Sequence, residues 1–242
     1  FNGYYVMDIN SALNETDLLA TLSLNGSDSL FWDGAVHLYT TIYIWIPAAI
    51  ALLFLIIRNT RHEQLLLVLC MIGLTILLCD QLSSSVFKPL FERYRPTRDY
   101  DVMHLMDTVN GYRGGKYGFF SGHAANSFGI ATFIALLIKN KHLTISITIW
   151  AILNVLTRTY LGVHYVGDIL VGTVAGIVVA LLVFWLYKTL TKNSYKYSHR
   201  ESELYTSSGY LRKDIAVFLV VLYSTYLLIL FIALIMQGVM PM

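Results

Sequence analysis

Lys88-Pro-Leu-Phe-Glu-Arg-Tyr-Arg95-Pro96, Phe120-Ser121-Gly122-His123, and Thr157-Arg158 followed by His164 and Asp168 hold the residues of this chain best suited to chemistry. They bring together the cations Lys88, Arg95 and Arg158, the imidazoles His123 and His164, the Ser121 hydroxyl and the Asp168 carboxylate. A phosphate ester carries nearly two negative charges, and its cleavage spreads charge over the equatorial oxygens. Forked guanidinium groups and an ammonium suit those oxygens. Ser121, with the amides of Gly122 and His123, would present an anion site at a helix N-terminus, and Gly122 lets backbone come close. His164 and Asp168 are four residues apart, which on a helix places them on one face. The carboxylate would then accept from one ring nitrogen and leave the other as a nucleophile toward phosphorus. His123 remains to protonate the leaving oxygen and then to activate water.

The elements that must carry these groups are apolar. The chain has 242 residues, 56% hydrophobic and 13% charged, with mean hydropathy +0.60; soluble domains carry roughly 25% charged residues. An all-α, polytopic membrane bundle is expected, with six crossings at about Leu38–Ile57, Leu65–Leu82, Phe120–Ile138, Leu143–Leu161, Ile169–Leu190 and Ile215–Met236. Polar segments separate them at Arg58–Gln64, Ser83–Phe119, Lys139–His142 and Thr191–Asp214. In domain terms this gives an interfacial segment (1–37), a catalytic transmembrane core (38–190), a hydrophilic cytoplasmic loop (191–214) and a last helix (215–242). Leu18, Leu19 and Leu22 suit a short amphipathic helix over Glu15–Leu24, lying on the membrane surface. Trp32, Tyr39, Tyr43 and Trp45 suit an interfacial belt. Cys70 and Cys79 read as packing residues on opposite faces of one helix. The first residues lack the basic region of a secretory signal, so the first apolar span is expected to direct insertion.

Alternate loops fall on opposite sides. One set holds Arg58, Arg61, Lys139, Lys141, Lys188, Lys192, Lys196, Arg200, Arg212 and Lys213; the other holds the motif cations with Arg93, Arg98, Arg113 and Lys116. The first set is larger and includes two short loops, so it is assigned to the cytoplasm. All three motifs then meet on the outer face, and the basic loop there has a chemical reason. Of its cations, Arg93, Arg98, Arg113 and Lys116 read either as solvated or as a collar for a second phosphate. Arg98, Arg113 and Lys116 are the candidate headgroup contacts. His37, His62, His104, His142 and His199 read as surface residues.

The compound pattern closely resembles the type 2 phosphatidic acid phosphatase superfamily, whose signatures are Lys-x6-Arg-Pro, Pro-Ser-Gly-His and Ser-Arg-x5-His-x3-Asp. They correspond here to Lys88–Pro96, Phe120–His123 and Thr157–Asp168, with Phe120 in place of proline and Thr157 in place of serine. The resemblance implies His164 as nucleophile, His123 as acid and base, and Asp168 as the group that orients His164. It implies Lys88, Arg95, Ser121, Gly122 and Arg158 as phosphate ligands, with no metal and no cofactor. A membrane hydrolase of lipid phosphate or pyrophosphate at the periplasmic face of a bacterial inner membrane follows, with undecaprenyl pyrophosphate or lipid A as the leading substrates. Phosphatidylglycerophosphate hydrolysis or phosphate transfer between lipids is the alternative, and an anionic-lipid transporter is a third reading. Substrate and membrane lipids are the expected partners, without nucleic acid or an obligatory protein.

Overall fold

The computed structural model describes residues 9–191 and 203–239, and the regular elements among them are helices. They are α1 (Ile9–Leu22), α2 (Leu30–Thr40), α3 (Ile46–Asn59), α4 (His62–Gln81), α5 (Lys88–Phe91), α6 (Gly122–Ile138), α7 (Lys141–Tyr160), α8 (Val166–Thr191) and α9 (Arg212–Val239). Much of the expected hydrophilic loop over 191–214, with His199, lies outside the described residues.

Five stretches are long and apolar enough to cross a bilayer: Ile42–Asn59, His62–Phe91, Lys141–Tyr160, Val166–Thr191 and Arg212–Gly238. The sixth expected crossing, α6, has 17 residues, the short end of what a bilayer needs. It is also the most enclosed. Ala124, Ala125, Gly129, Ala131, Phe133, Ile134 and Ile138 are buried along it, against α4, α7 and α8. A helix shielded by its neighbours need not match the hydrocarbon thickness itself.

Small residues let α6 and α8 approach closely. A Cβ on Gly172 would stand 2.5 Å from the Ser121 carbonyl oxygen, and one on Gly176 would overlap the Ala125 carbonyl. Lipid gives helices little hydrophobic reason to associate, so close backbone packing supplies the attraction. The same approach lets the Ser121 N–H donate to the Asp168 carbonyl at 3.0 Å, joining the start of α6 to the start of α8.

The sequence-based expectations are corrected in four places. The first span begins at Ile42, because the helix breaks at Thr41 and turns through a short 3-10 segment, Ile42–Trp45. That break folds Tyr39 and Trp45 inward against Trp150 and Tyr226, so they pack the bundle while Trp32 and Tyr43 remain exposed. The polar loop does not start at Ser83. The helix runs on through a π turn, Leu82–Phe87, into α5, and Ser84 and Ser85 bond back to Asp80 and Gln81 within it. Finally, His164 precedes α8, so it does not share a helix face with Asp168.

Helix α1 packs on the bundle. Asp17 accepts from the Gly167 N–H at 2.7 Å and the Thr21 hydroxyl accepts from the Val166 N–H at 3.1 Å, satisfying the first turn of α8. Beyond α1, Asn25 bonds the carbonyls of Asp107 and Tyr160 and accepts from the Asp107 N–H. This stitches the N-terminal segment to the long loop and to the end of α7.

The close α6–α8 contact is testable. Gly172→Val should lower thermal stability in detergent by about 1–3 kcal/mol through overpacking, and it should push the Ser121 carbonyl out of place. An unchanged melting temperature would contradict the packing described.

Candidate active site

Four chain segments deliver the polar groups to one place. The π turn and α5 carry Lys88, half-buried, to the end of the second crossing. Ser83 in that turn is buried and donates to the Phe120 carbonyl at 2.9 Å, locking the turn to the start of α6. Ser121 is the N-cap of α6, in extended geometry, and its Oγ accepts from the Ala124 N–H at 3.4 Å. Gly122 follows it; a Cβ there would lie 3.9 Å from Lys88 Nζ. His123 is exposed and within electrostatic range of Arg158, His164, Arg95 and Lys88.

His164 sits in the connection between α7 and α8, 1% exposed. Arg95 Nη1 lies 3.1 Å from its Nε2. A guanidinium only donates, so Nε2 accepts and the ring proton resides on Nδ1. Nδ1 is 3.5 Å from Asp168 Oδ2, too long and poorly aligned for a full hydrogen bond, and has no other partner. Asp168, fully buried, is the third residue of α8, and its Oδ2 accepts from the Tyr165 N–H at 3.1 Å. That is one half of a capping box. The carboxylate thus reaches His164 by folding back over the helix start.

Burial pushes His164 down to about 4, against the opposing pull of Asp168 and with Arg95 adding to the burial effect. The imidazole is therefore neutral at physiological pH. Because its ordinary value is about 6.5, protonation favours the unfolded chain. The stability it contributes is complete above that value and is lost as pH falls toward 4.

The cations are left without direct ion-pair partners. Among the described residues, the ion pairs involve Arg58 with Asp214, Arg93 with Asp17 and Asp168, and His164 with Asp168. None includes Lys88, Arg95 or Arg158. Arg158 is 6% exposed, and its Nε has no hydrogen-bond partner. Arg95 is steadied by neutral acceptors alone: its Nε donates to the Tyr117 carbonyl at 3.2 Å, and its Nη1 to the Val163 carbonyl and to His164 Nε2, both at 3.1 Å. Buried charge left this way is costly unless an anion joins it.

Arg98, Arg113 and Lys116, on the loop between α5 and α6, are all exposed. Arg98 donates to the Gly114 carbonyl at 3.2 Å, while Lys116 lies over the rings of Tyr117 and Tyr94 at 4.8 and 5.5 Å. The two departures from the signature are accommodated structurally. Phe120 is buried, its ring 4.9 Å from that of Phe87, and the Thr157 hydroxyl bonds the Asn154 carbonyl within its own helix. The other named histidines, His37, His62, His104 and His142, are exposed. No group of three or more His, Cys, Asp or Glu side chains that could hold a metal occurs among the described residues.

The sequence reading missed several participants. Arg93, grouped there with the loop cations, bridges Asp168 and Asp17. Tyr112 lies within electrostatic range of both Arg95 and Arg158. Gly118 leaves room that a side chain would fill, since its Cβ would stand 2.9 Å from Asp168 Oδ2 and 3.5 Å from His164 Nδ1. Only the position of Arg93 within the Lys88–Arg95 segment hinted at a role.

A profile of the PAP2 superfamily matches residues 64–192. Over 168 residues the chain is 39% identical to a lipid A 4'-phosphatase of Porphyromonas gingivalis, covering 69% of this chain and 70% of that protein. A lipid A 4'-phosphatase of Bacteroides thetaiotaomicron is 38% identical over 180 residues, 74% and 80% of the two chains. The fold is similar to the crystal structure of a transmembrane PAP2-type phosphatidylglycerolphosphate phosphatase from Bacillus subtilis, with a TM-score of 0.55 and 23% identity. That match covers 76% of this chain and 90% of the other.

The unpaired cations lead to a paired expectation. Arg158→Met should leave the empty protein as stable or more stable, by on the order of 1–3 kcal/mol, since it removes an uncompensated buried charge. It should also abolish the rise in melting temperature that phosphate or vanadate gives the unsubstituted protein. Thermal unfolding with and without oxyanion checks both; a large destabilisation of the empty variant would contradict the charge argument.

Proposed function

The chain belongs to the PAP2 superfamily and is a multi-pass membrane phosphatase acting on lipid; from that footing we propose that its substrate is a lipid A-type 4'-phosphate, cleaved at the periplasmic face of a bacterial inner membrane. One observation carries the chemistry: Lys88, Arg95 and Arg158, without carboxylate partners, converge around His164 and His123. The identity to two lipid A 4'-phosphatases supports the substrate. An apolar cleft of about 390 Å³ between α2, α7 and α9, lined by Val36, Leu153, Leu156 and, next in sequence to Arg158, Thr157 among others, suits acyl chains.

In the empty site Arg95 occupies the Nε2 lone pair of His164. A bound phosphate draws the guanidinium onto its oxygens, joined by Lys88, Arg158 and the amides at the start of α6, and Nε2 is freed. Nε2 then attacks phosphorus, the bond from phosphorus to the sugar oxygen breaks, and His123 gives that oxygen its proton. The dephosphorylated lipid leaves a phosphohistidine. Water attacks the phosphorus, losing its proton to His123, the P–N bond breaks, and inorganic phosphate departs. Asp168 holds the Nδ1 proton and steadies the charge that develops on the ring. In surroundings of low dielectric, fixed cations already aimed at the oxygens are worth far more than they would be in water.

Purified protein should release inorganic phosphate from lipid A with EDTA present, faster than from undecaprenyl pyrophosphate or phosphatidylglycerophosphate. His164→Ala should abolish release and the acid-labile phosphoenzyme. Because burial pushes His164 down to about 4, the acid limb of kcat/KM should lie near that value and below the 5–7 range, where an ordinary histidine would set it. Activity surviving in His164→Ala would sink the phosphohistidine mechanism. Loss in EDTA would contradict the metal-free one, and label on a second lipid would mark a transferase.

A further inference from the structure

We propose that Arg93 and Asp17 are positioning residues for the reaction, with α1 aiming the Arg93 guanidinium at the carboxylate that orients His164. This rests on the reading of His164 as nucleophile and Asp168 as its orienting group. Arg93 donates from Nη1 to Asp168 Oδ1 at 2.8 Å and from Nη2 to Asp17 Oδ2 at 2.7 Å. The guanidinium is planar, so fixing one nitrogen on Asp17 fixes the direction of the other. Its flat face lies over the Tyr165 ring, 4.1 Å from the centroid, and the Tyr165 hydroxyl is tied to Asp99 Oδ2 at 3.2 Å. The Arg93 carbonyl also accepts from the Gly118 N–H at 2.8 Å, setting the glycine that makes room for Asp168 and His164.

Asp17 is held in turn. Its Oδ1 accepts from the Gly167 N–H and its Oδ2 from Arg93, so one carboxylate caps α8 and aims the arginine. The distances rank the partners of Asp168. Its contact with Arg93 is short, at 2.8 Å, while that with His164 Nδ1 is 3.5 Å. The arginine, not the histidine, decides where the carboxylate points in the empty site. The other charged or titratable groups that act on it are Lys88 from α5, Arg95 from the loop, and Tyr165 with its partner Asp99, while His123 from α6 and Arg158 from α7 stand around His164 and Arg95. Only Arg93 pairs directly with the Asp168 carboxylate among the cations described.

The test is steady-state kinetics against pH on the full chain, comparing wild type with Arg93→Met, Arg93→Lys and Asp17→Asn, each normalised to folded protein. His164→Ala and Asp168→Asn serve as references. Arg93→Met should lower kcat about 10- to 100-fold with KM changed less than about threefold. Without the cation beside the Asp168 carboxylate, His164 is easier to protonate, so the acid limb of kcat/KM should rise by about one pH unit. Asp17→Asn should shift the limb the opposite way, because Arg93 then directs its charge at Asp168 alone. Arg93→Lys should recover part of kcat. If Arg93→Met does not fold, the limb shift in Asp17→Asn and the kcat of Arg93→Lys decide the matter. Wild-type kcat and limb in the Arg93 and Asp17 variants, beside an inactive His164→Ala, would overturn the positioning role alone. Activity retained in His164→Ala and Asp168→Asn would overturn the underlying mechanism, and the positioning role with it.

Discussion

The carboxylate of Asp168 is out of contact with solvent, and parts of the chain far apart in sequence are fastened to it or to its own peptide unit. Its side chain takes the Arg93 guanidinium and the Tyr165 N–H and faces His164; its carbonyl takes the Ser121 N–H. An ionised carboxylate in such surroundings requires these partners, since removing one leaves charge uncompensated. The arrangement is therefore all or nothing. The close packing of α6 on α8, the fold-back at the start of α8 and the docking of α1 are each conditions for its existence.

Around that pair the balance is deliberately incomplete. Lys88, Arg95 and Arg158 lie together without a carboxylate to neutralise them, and a phosphate would supply the missing charge. A fold optimised for stability alone would pair or remove these cations. Retaining them makes substrate binding relieve a strain already present, and it places fixed positive charge where the transition state needs it. The glycines serve the same end. Gly118, Gly122 and Gly172 are positions where a side chain would meet the Asp168 carboxylate, Ser83 or the Ser121 carbonyl.

Much of this was legible beforehand because membrane-length runs and a compound motif spread over three segments are strong local signals. The cations, imidazoles and carboxylate come together as their spacing implied, and the helical crossings fall close to the apolar runs. Other features were not legible. Ser83–Phe91 reads as loop by polarity, yet its serines bond back along a continuous helix. The His164–Asp168 interval reads as a helical turn, yet the helix begins two residues after His164. Arg93 reads as one loop cation among several, and Asp17 as a polar residue on a surface helix.

By itself, the sequence determined the class of chemistry, the membrane setting and which residue types would meet. These depend on composition and on spacings within one segment, where periodicity and side-chain chemistry act directly. Only the tertiary structure decided which nitrogen of His164 accepts from Arg95, which cations lack an ion-pair partner and how Asp168 is held. Those depend on contacts across the chain, such as that between Asp17 and Arg93, 76 positions apart, which no local pattern encodes. The three motifs and their three cations name the site; the packing of α1, α6 and α8 turns it into a geometry.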